Sequence, residues 1–138
     1  MLIGRDRFFD LLKRNKLLVR RLKRSVHTTN SNHHFRRYPN LAKDFTPLKA
    51  HELWVADITY IPLKHRFAYL FLITDAYSRK IVGHHVSDDM KVSSATVALK
   101  KALSQKPTQT IVMHHSDRGI QYCSTEYVAL LQQHHTLI

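Results

Sequence analysis

The spacing of apolar positions changes character along the chain. Near the start, Phe8, Leu11, Leu12 and Leu18 recur at helical intervals, which predicts a helix from about Arg5 to Asn15. Its polar face carries Arg5, Arg7, Lys13 and Arg14. A lone helix cannot bury its own apolar stripe, so this one needs partners. From Arg20 to Ala50 the periodicity stops. The stretch opens Arg20-Arg21-Leu22-Lys23-Arg24, passes through polar residues to Asn32, and continues His33-His34-Phe35-Arg36-Arg37-Tyr38-Pro39. It reads as an extended or loosely ordered linker.

A folded domain is expected from about residue 51. Trp54 to Ile61 alternates as a strand, and Phe67 to Thr74 is apolar on both faces, as in a central strand. Lys80 to Val86 forms a third, the three joined as an antiparallel meander. Val92, Ala95, Leu99, Ala102 and Leu103 then fall at spacings of three and four, a helical face that Pro107 ends. Thr110 to His114 reads as a fourth strand. Ser124 can cap a second helix, with Glu126 in its first turn and Tyr127, Leu130 and Leu131 as its buried stripe. Thr136 to Ile138 begins a fifth strand. The order is that of an α/β domain whose last two strands are reached by helical crossovers.

Charge sharpens this division. The 138 residues carry 22 Lys and Arg against 10 Asp and Glu, a net +12. Residues 1–50 hold 13 basic and 3 acidic residues, whereas residues 51–138 hold 9 and 7. Such asymmetry suggests a basic arm that meets a polyanion, the alternative being a well-solvated basic surface. Phe35 and Tyr38 among arginines suit a segment that tracks a phosphate backbone, though a plain tether would read the same way. No apolar run approaches the roughly 18 residues of a membrane helix, and the opening residues lack a signal peptide's apolar block. The one cysteine, Cys123, rules out an internal disulfide framework. A cytoplasmic location is the simplest expectation. Four adjacent histidine pairs stand among eleven histidines, but a single cysteine cannot complete a two-His, two-Cys zinc module. Gly83 and Gly119 form no phosphate-binding loop.

Two aspartates draw attention on chemical grounds. Asp57 lies inside Trp54-Val55-Ala56-Asp57-Ile58-Thr59-Tyr60, on one face with Val55, Thr59 and Ile61. A carboxylate among β-branched neighbours in mid-strand is costly unless paired or metal-bound; the alternative is an aspartate facing water or held by a distant arginine. Asp117 follows the apolar Ile111-Val112-Met113 in His114-His115-Ser116-Asp117-Arg118-Gly119. A polar cluster at a strand's C-terminal end is a usual place for an α/β site, and an Asx-turn is the plainer reading. Gly119 is expected to supply a backbone conformation that other residues resist. Two aspartates from different strands of one sheet can share a divalent cation, and oxygen-only ligation favours Mg²⁺ or Mn²⁺.

Three blocks resemble the integrase-type catalytic core of insertion-sequence transposases. They are Trp54 to Ile61, Ile73-Thr74-Asp75-Ala76-Tyr77-Ser78-Arg79-Lys80-Ile81-Val82-Gly83, and His115-Ser116-Asp117-Arg118-Gly119-Ile120-Gln121-Tyr122-Cys123-Ser124. Gly4 to Leu12 and Thr28 to His33 are also similar to the segment before that core. The resemblance implies a ribonuclease-H-like mixed sheet with helices and an Asp-Asp-Glu metal triad that cuts transposon ends and joins a 3′-hydroxyl to a phosphodiester. It makes Asp57 and Asp117 the first two acids, His115 and Arg118 supporting residues, and Asp75 structural, capping a turn. The family's third acid sits on a helix farther on than the 21 residues that follow Asp117, and Glu126 comes too early.

The resulting expectation is a transposase fragment in three parts. Residues 1–19 would be the remnant of a helix-turn-helix region, 20–50 a basic linker, and 51–138 a partial core incomplete at its C-terminus. DNA is the expected partner, through Lys13, Arg14, Arg20, Arg21, Lys23, Arg24, Arg36 and Arg37, with association to itself or to full-length transposase and with no membrane. Lacking the third acid, the fragment is expected to bind DNA yet be defective in strand transfer. The alternative is a non-catalytic DNA-binding protein that interferes with full-length transposase.

Overall fold

Alternating burial along residues 53–62 and 67–75 builds the centre of a four-stranded sheet. In the computed structural model, which describes residues 4–18 and 33–138, β1 is Leu53–Pro62, β2 Phe67–Asp75, β3 Ile81–Ser87 and β4 Met113–Ser116. The spatial order is β3-β2-β1-β4. The first three strands form the expected antiparallel meander, with β2 between two neighbours. β4 returns parallel to β1 after a helical crossover.

That crossover is α2, Val92–Ser104, and it lies on one face of the sheet against β3 and β2. The core forms there. Trp54, Ala56, Phe71, Ile73 and Val82 from the sheet meet Ala95, Ala98, Leu99 and Ala102 of α2 and Tyr122, Tyr127 and Leu131 farther on. Burying a large side chain of this kind contributes roughly 1.5–3 kcal/mol. The contact is close because β3 places a glycine under the helix. A Cβ added at Gly83 would lie 2.3 Å from the Ala98 carbonyl oxygen and 2.9 Å from the Ala102 Cβ.

Beyond β4 come a short helix, α3 (Ile120–Cys123), and α4 (Thr125–Gln133). Ser124 caps α4 as expected, its side chain accepting from the Tyr127 amide. α4 ends with His135 at φ 51°, and the Thr136 N–H reaches back 3.0 Å to the Leu131 oxygen. This reversal sends Leu137 alongside β4, where it makes a parallel bridge with Met113, the start of the expected fifth strand.

Three expectations need correction. The fourth strand is Met113–Ser116 rather than Thr110 to His114. Its partner β1 begins at Leu53, which faces Met113, so residues 110–112 have no strand of the sheet to pair with. The helix α3 has no counterpart in the sequence reading, because four residues are too few for an apolar period. Gly119 has φ −69° and ψ 147°, an extended conformation open to any residue.

The N-terminal helix α1, Arg5–Arg14, matches its expected span and buries none of its side chains. Phe8, Phe9 and Leu11 are each about half exposed. Among the described residues no helix is long and apolar enough to cross a membrane.

Candidate active site

The helix layer covers one face of the sheet, and the alternation of β1 puts Asp57 on the other. Trp54 and Ala56 are buried, whereas Val55, Asp57 and Thr59 are exposed. Of the two readings of Asp57, a carboxylate buried in mid-strand or one facing water, the structure shows the second, since the residue is exposed. It borders a shallow groove with Val55, Leu72, Thr74, Ala76 and Arg79.

Asp117 reaches the same region by register. β1 and β4 pair Val55 with His115 and Ala56 with Ser116. One further step arrives at Asp57 on β1 and at Asp117 on the chain leaving β4. The ladder ends at the pair of Ala56 with Ser116, so Asp117 leaves β4 next to the middle of β1, where Asp57 lies, although the two line different hollows of the surface. Both carboxylates act electrostatically on the same group, the Tyr122 hydroxyl. Burial first, then Asp117 and Asp57, push that phenol far above its ordinary range. Asp117 also folds its own turn, its Oδ1 accepting the Gly119 amide at 3.0 Å. The Asx-turn and the site position coexist in one residue.

His115 lies on the open face beside Val55. Its neighbour His114 faces the interior, where Nε2 and the Tyr127 hydroxyl are hydrogen-bonded at 3.0 Å. Burial, with the charge of His115, lowers His114 to about 4. Arg118 is exposed, and His33 reaches 85 residues along the chain to its carbonyl, the ring Nε2 lying 3.1 Å from the oxygen.

That contact shows what the sequence did not, that the linker lies against the site. Tyr38, Pro39 and Asn40 form one wall of a cleft of about 130 Å³ whose other residues include His115, Asp117, Arg118 and Tyr122. The Arg36 guanidinium sits 5.3 Å from the Tyr38 ring centroid. At Cys123, burial and Asp117 raise the thiol pKa while Arg37 and Arg118 oppose them, which puts both arginines near the cleft. Of the other basic residues expected at nucleic acid, Lys13 and Arg14 occupy the last turn of α1. Arg20, Arg21, Lys23 and Arg24 lie outside the described residues.

Asp75, opposite Trp54 on β2, is different. It is 1% exposed and accepts from the Ser78 amide at 2.7 Å, the Ser78 hydroxyl at 2.7 Å and the His51 amide at 2.6 Å. Burial raises its carboxyl pKa, but those donors outweigh it and the net shift is downward. Its structural role as the cap of the turn after β2 is as expected.

The donor set at Asp57 and Asp117 is two carboxylates and no thiolate. Among the described residues no three His, Cys, Asp or Glu side chains are grouped so as to hold a metal by themselves. Glu126 is in the first turn of α4, apart from the pair. Two carboxylates suit a hard cation that keeps most of its waters, as Mg²⁺ does when one or two acids and a substrate phosphate bind it.

Residues 47–138 match the integrase core domain family. This chain belongs to the integrase core family. Its relatives are insertion-sequence proteins, and its sheet and helices are those of a ribonuclease-H-like core. An uncharacterized 31 kDa protein of insertion element IS600 from Shigella sonnei is 37% identical over 135 residues, 96% of this chain and 49% of the relative. The transposase InsF of insertion sequence IS3A from Escherichia coli K12 is 36% identical over 94 residues, 68% of this chain and 33% of the relative. The chain thus spans at most about half the length of these relatives. The HTLV-2 integrase catalytic core domain, solved in complex with magnesium, superposes with a TM-score of 0.59 at 19% identity, over 67% of this chain and 60% of that one.

Proposed function

We propose that this integrase-core chain serves DNA transposition by binding DNA through its basic lead-in and holding a hydrated Mg²⁺ or Mn²⁺ between Asp57 and Asp117. The observation that carries the reading is the parallel register of β1 and β4, whose last pair, Ala56 and Ser116, immediately precedes Asp57 and Asp117. A divalent cation bound there supplies positive charge that activates a water or 3′-hydroxyl and offsets charge on the leaving oxygen. His115 and Arg118 support the pair, Arg118 by meeting a phosphate beside it. Lys13, Arg14, Arg20, Arg21, Lys23, Arg24, Arg36 and Arg37 neutralise the DNA backbone. Residues 1–19 are read as part of a helix-turn-helix region, 20–50 as the basic linker and 51–138 as part of the catalytic core. The protein works in the bacterial cytoplasm, on transposon ends and target DNA, associated with further transposase copies.

With two acids rather than three, these 138 residues are proposed to bind DNA and cation without completing strand transfer by themselves. Mn²⁺ titration of the wild type, Asp57→Asn and Asp117→Asn, followed by calorimetry, tests the site. The wild type is expected to bind one cation weakly and each variant at least tenfold more weakly. Absence of binding by the wild type, with DNA binding intact, would sink the cation site and leave a DNA-binding protein that interferes with full-length transposase.

A further inference from the structure

The linker has two sides. Phe35 and Tyr38 are half-buried, whereas Arg36 and Arg37 between them are exposed. The inner side is seated on α4. Phe35 and Tyr38 share a hollow with Thr125, Val128, Ala129 and Gln132, which fall at spacings of three and four on one face of that helix. The His33 and His34 rings lie 5.6 and 4.4 Å from the Phe35 ring, and the His33 contact with the Arg118 carbonyl ties down the near end. Neither Phe35 nor Tyr38 belongs to the hydrophobic core of the sheet and its helices. They make a separate contact, between the linker and the outside of the core.

This docking governs where the charges stand. On a free tether, two guanidinium groups would sample every direction. Seating both rings fixes the backbone between them and leaves Arg36 and Arg37 outward, with the Arg36 guanidinium against the Tyr38 ring. Tyr38 also walls the cleft that Arg118 lines, and Arg118 is exposed. Three guanidinium groups are thus carried on, or next to, residues that border one cleft. A DNA backbone presents its charges at short regular intervals, and it can meet these cations without disturbing the linker's inner contact.

We propose that DNA binds the docked form of the linker, with Phe35 and Tyr38 as anchors that hold Arg36 and Arg37 pre-set beside Arg118 for a phosphodiester backbone. This rests on the reading of the basic lead-in as a DNA-binding arm and is independent of the cation site. A ligand that binds only the docked form stabilises it, so bound DNA presses the linker onto α4. The anchors touch no phosphate. They are positioning residues, and their loss removes pre-organisation while leaving every charge in place.

The test uses the thiol of Cys123, the chain's one cysteine, which borders both hollows that Tyr38 lines. Its modification by iodoacetamide, a neutral reagent, is timed with and without duplex DNA of arbitrary sequence. The proteins are the 138-residue wild type, Phe35→Ala, Tyr38→Ala and the ring-preserving Tyr38→Phe, with thermal midpoints as the check on folding. In the wild type and Tyr38→Phe, DNA is expected to slow modification about fivefold or more. Phe35→Ala and Tyr38→Ala are expected to react faster and to lose that protection. They should also bind DNA about three- to tenfold more weakly, with the salt slope unchanged. Equal protection in the wild type and both alanine variants would mean that DNA itself covers the thiol, and would overturn the role of the anchors. Modification that DNA leaves unchanged or accelerates in the wild type would overturn binding to the docked form while leaving the DNA-binding arm standing. No DNA binding by the wild type would overturn both, and the failures are thereby distinct.

Discussion

Asp57 and Asp75 are aspartates on neighbouring strands with opposite surroundings. Asp75 is enclosed and satisfied by three donors, so it holds the turn after β2 and the incoming His51 backbone together. Asp75→Ala would leave the His51 and Ser78 amides without that acceptor. A loss on the order of 2–4 kcal/mol is expected, measured by urea unfolding. Asp57 has no such enclosure, and Asp57→Asn should leave the unfolding midpoint nearly unchanged. His114 gives a pH signature. Its folded pKa of about 4 lies below the ordinary 6.5, so between these values the unfolded chain binds a proton that the folded one does not. Stability is therefore full above about pH 6.5 and falls as pH drops toward 4, by on the order of 3 kcal/mol for this residue. Unfolding at a series of pH values should show that slope, and His114→Gln should remove this residue's share of it. At this scale the sequence was informative about Asp75, which caps its turn as expected, and left the surroundings of Asp57 open. Burial and exposure of Asp57 were both open, because strand alternation says which residues share a face but not whether that face is covered.

Elements were legible where their period was long. The ten-residue strand β1, the apolar β2 and the helix α2 came out of alternation and helical spacing within a residue or two. β4 did not, because Thr110, Ile111 and Val112 have the composition of a strand but no strand opposite them, and pairing outweighs propensity. That shift matters for the candidate site. A strand ending at His114 would have left Asp117 three residues beyond the sheet, whereas the strand ending at Ser116 leaves it one residue beyond, after the pair of Ser116 with Ala56. The packing of α2 on β3 depends on Gly83, which no spacing argument had marked. Gly83→Ala is expected to push the helix off the sheet and lower stability by about 1–3 kcal/mol, seen as a lower thermal midpoint. Serine there should be at least as costly.

For the whole molecule, charge is the governing quantity. The +12 net charge is concentrated in the first 50 residues, and the linker carrying Arg36 and Arg37 lies against the same cleft as Asp117. The charge asymmetry was visible in the sequence; the docking of the linker was not, since it rests on a contact 85 residues apart. DNA affinity is expected to fall linearly with salt on logarithmic axes, losing about 0.9 of slope for each phosphate neutralised. Replacing Arg36 and Arg37 together with alanine should make that slope shallower by about 2, measured by fluorescence anisotropy on duplexes of unrelated sequence. A slope that stays the same would place the contacts elsewhere on the arm.

The buried pairing of His114 with Tyr127 has a meaning for alignment between strands. Two histidines stand next to each other in the middle of a four-residue strand, and a slide by one position would exchange them. The outward ring would be driven into the aromatic interior and Asp117 would be carried out of step with its companion on β1. The tyrosine therefore works as a latch that admits one setting of the strand, and the place at which Asp117 leaves β4 follows from it.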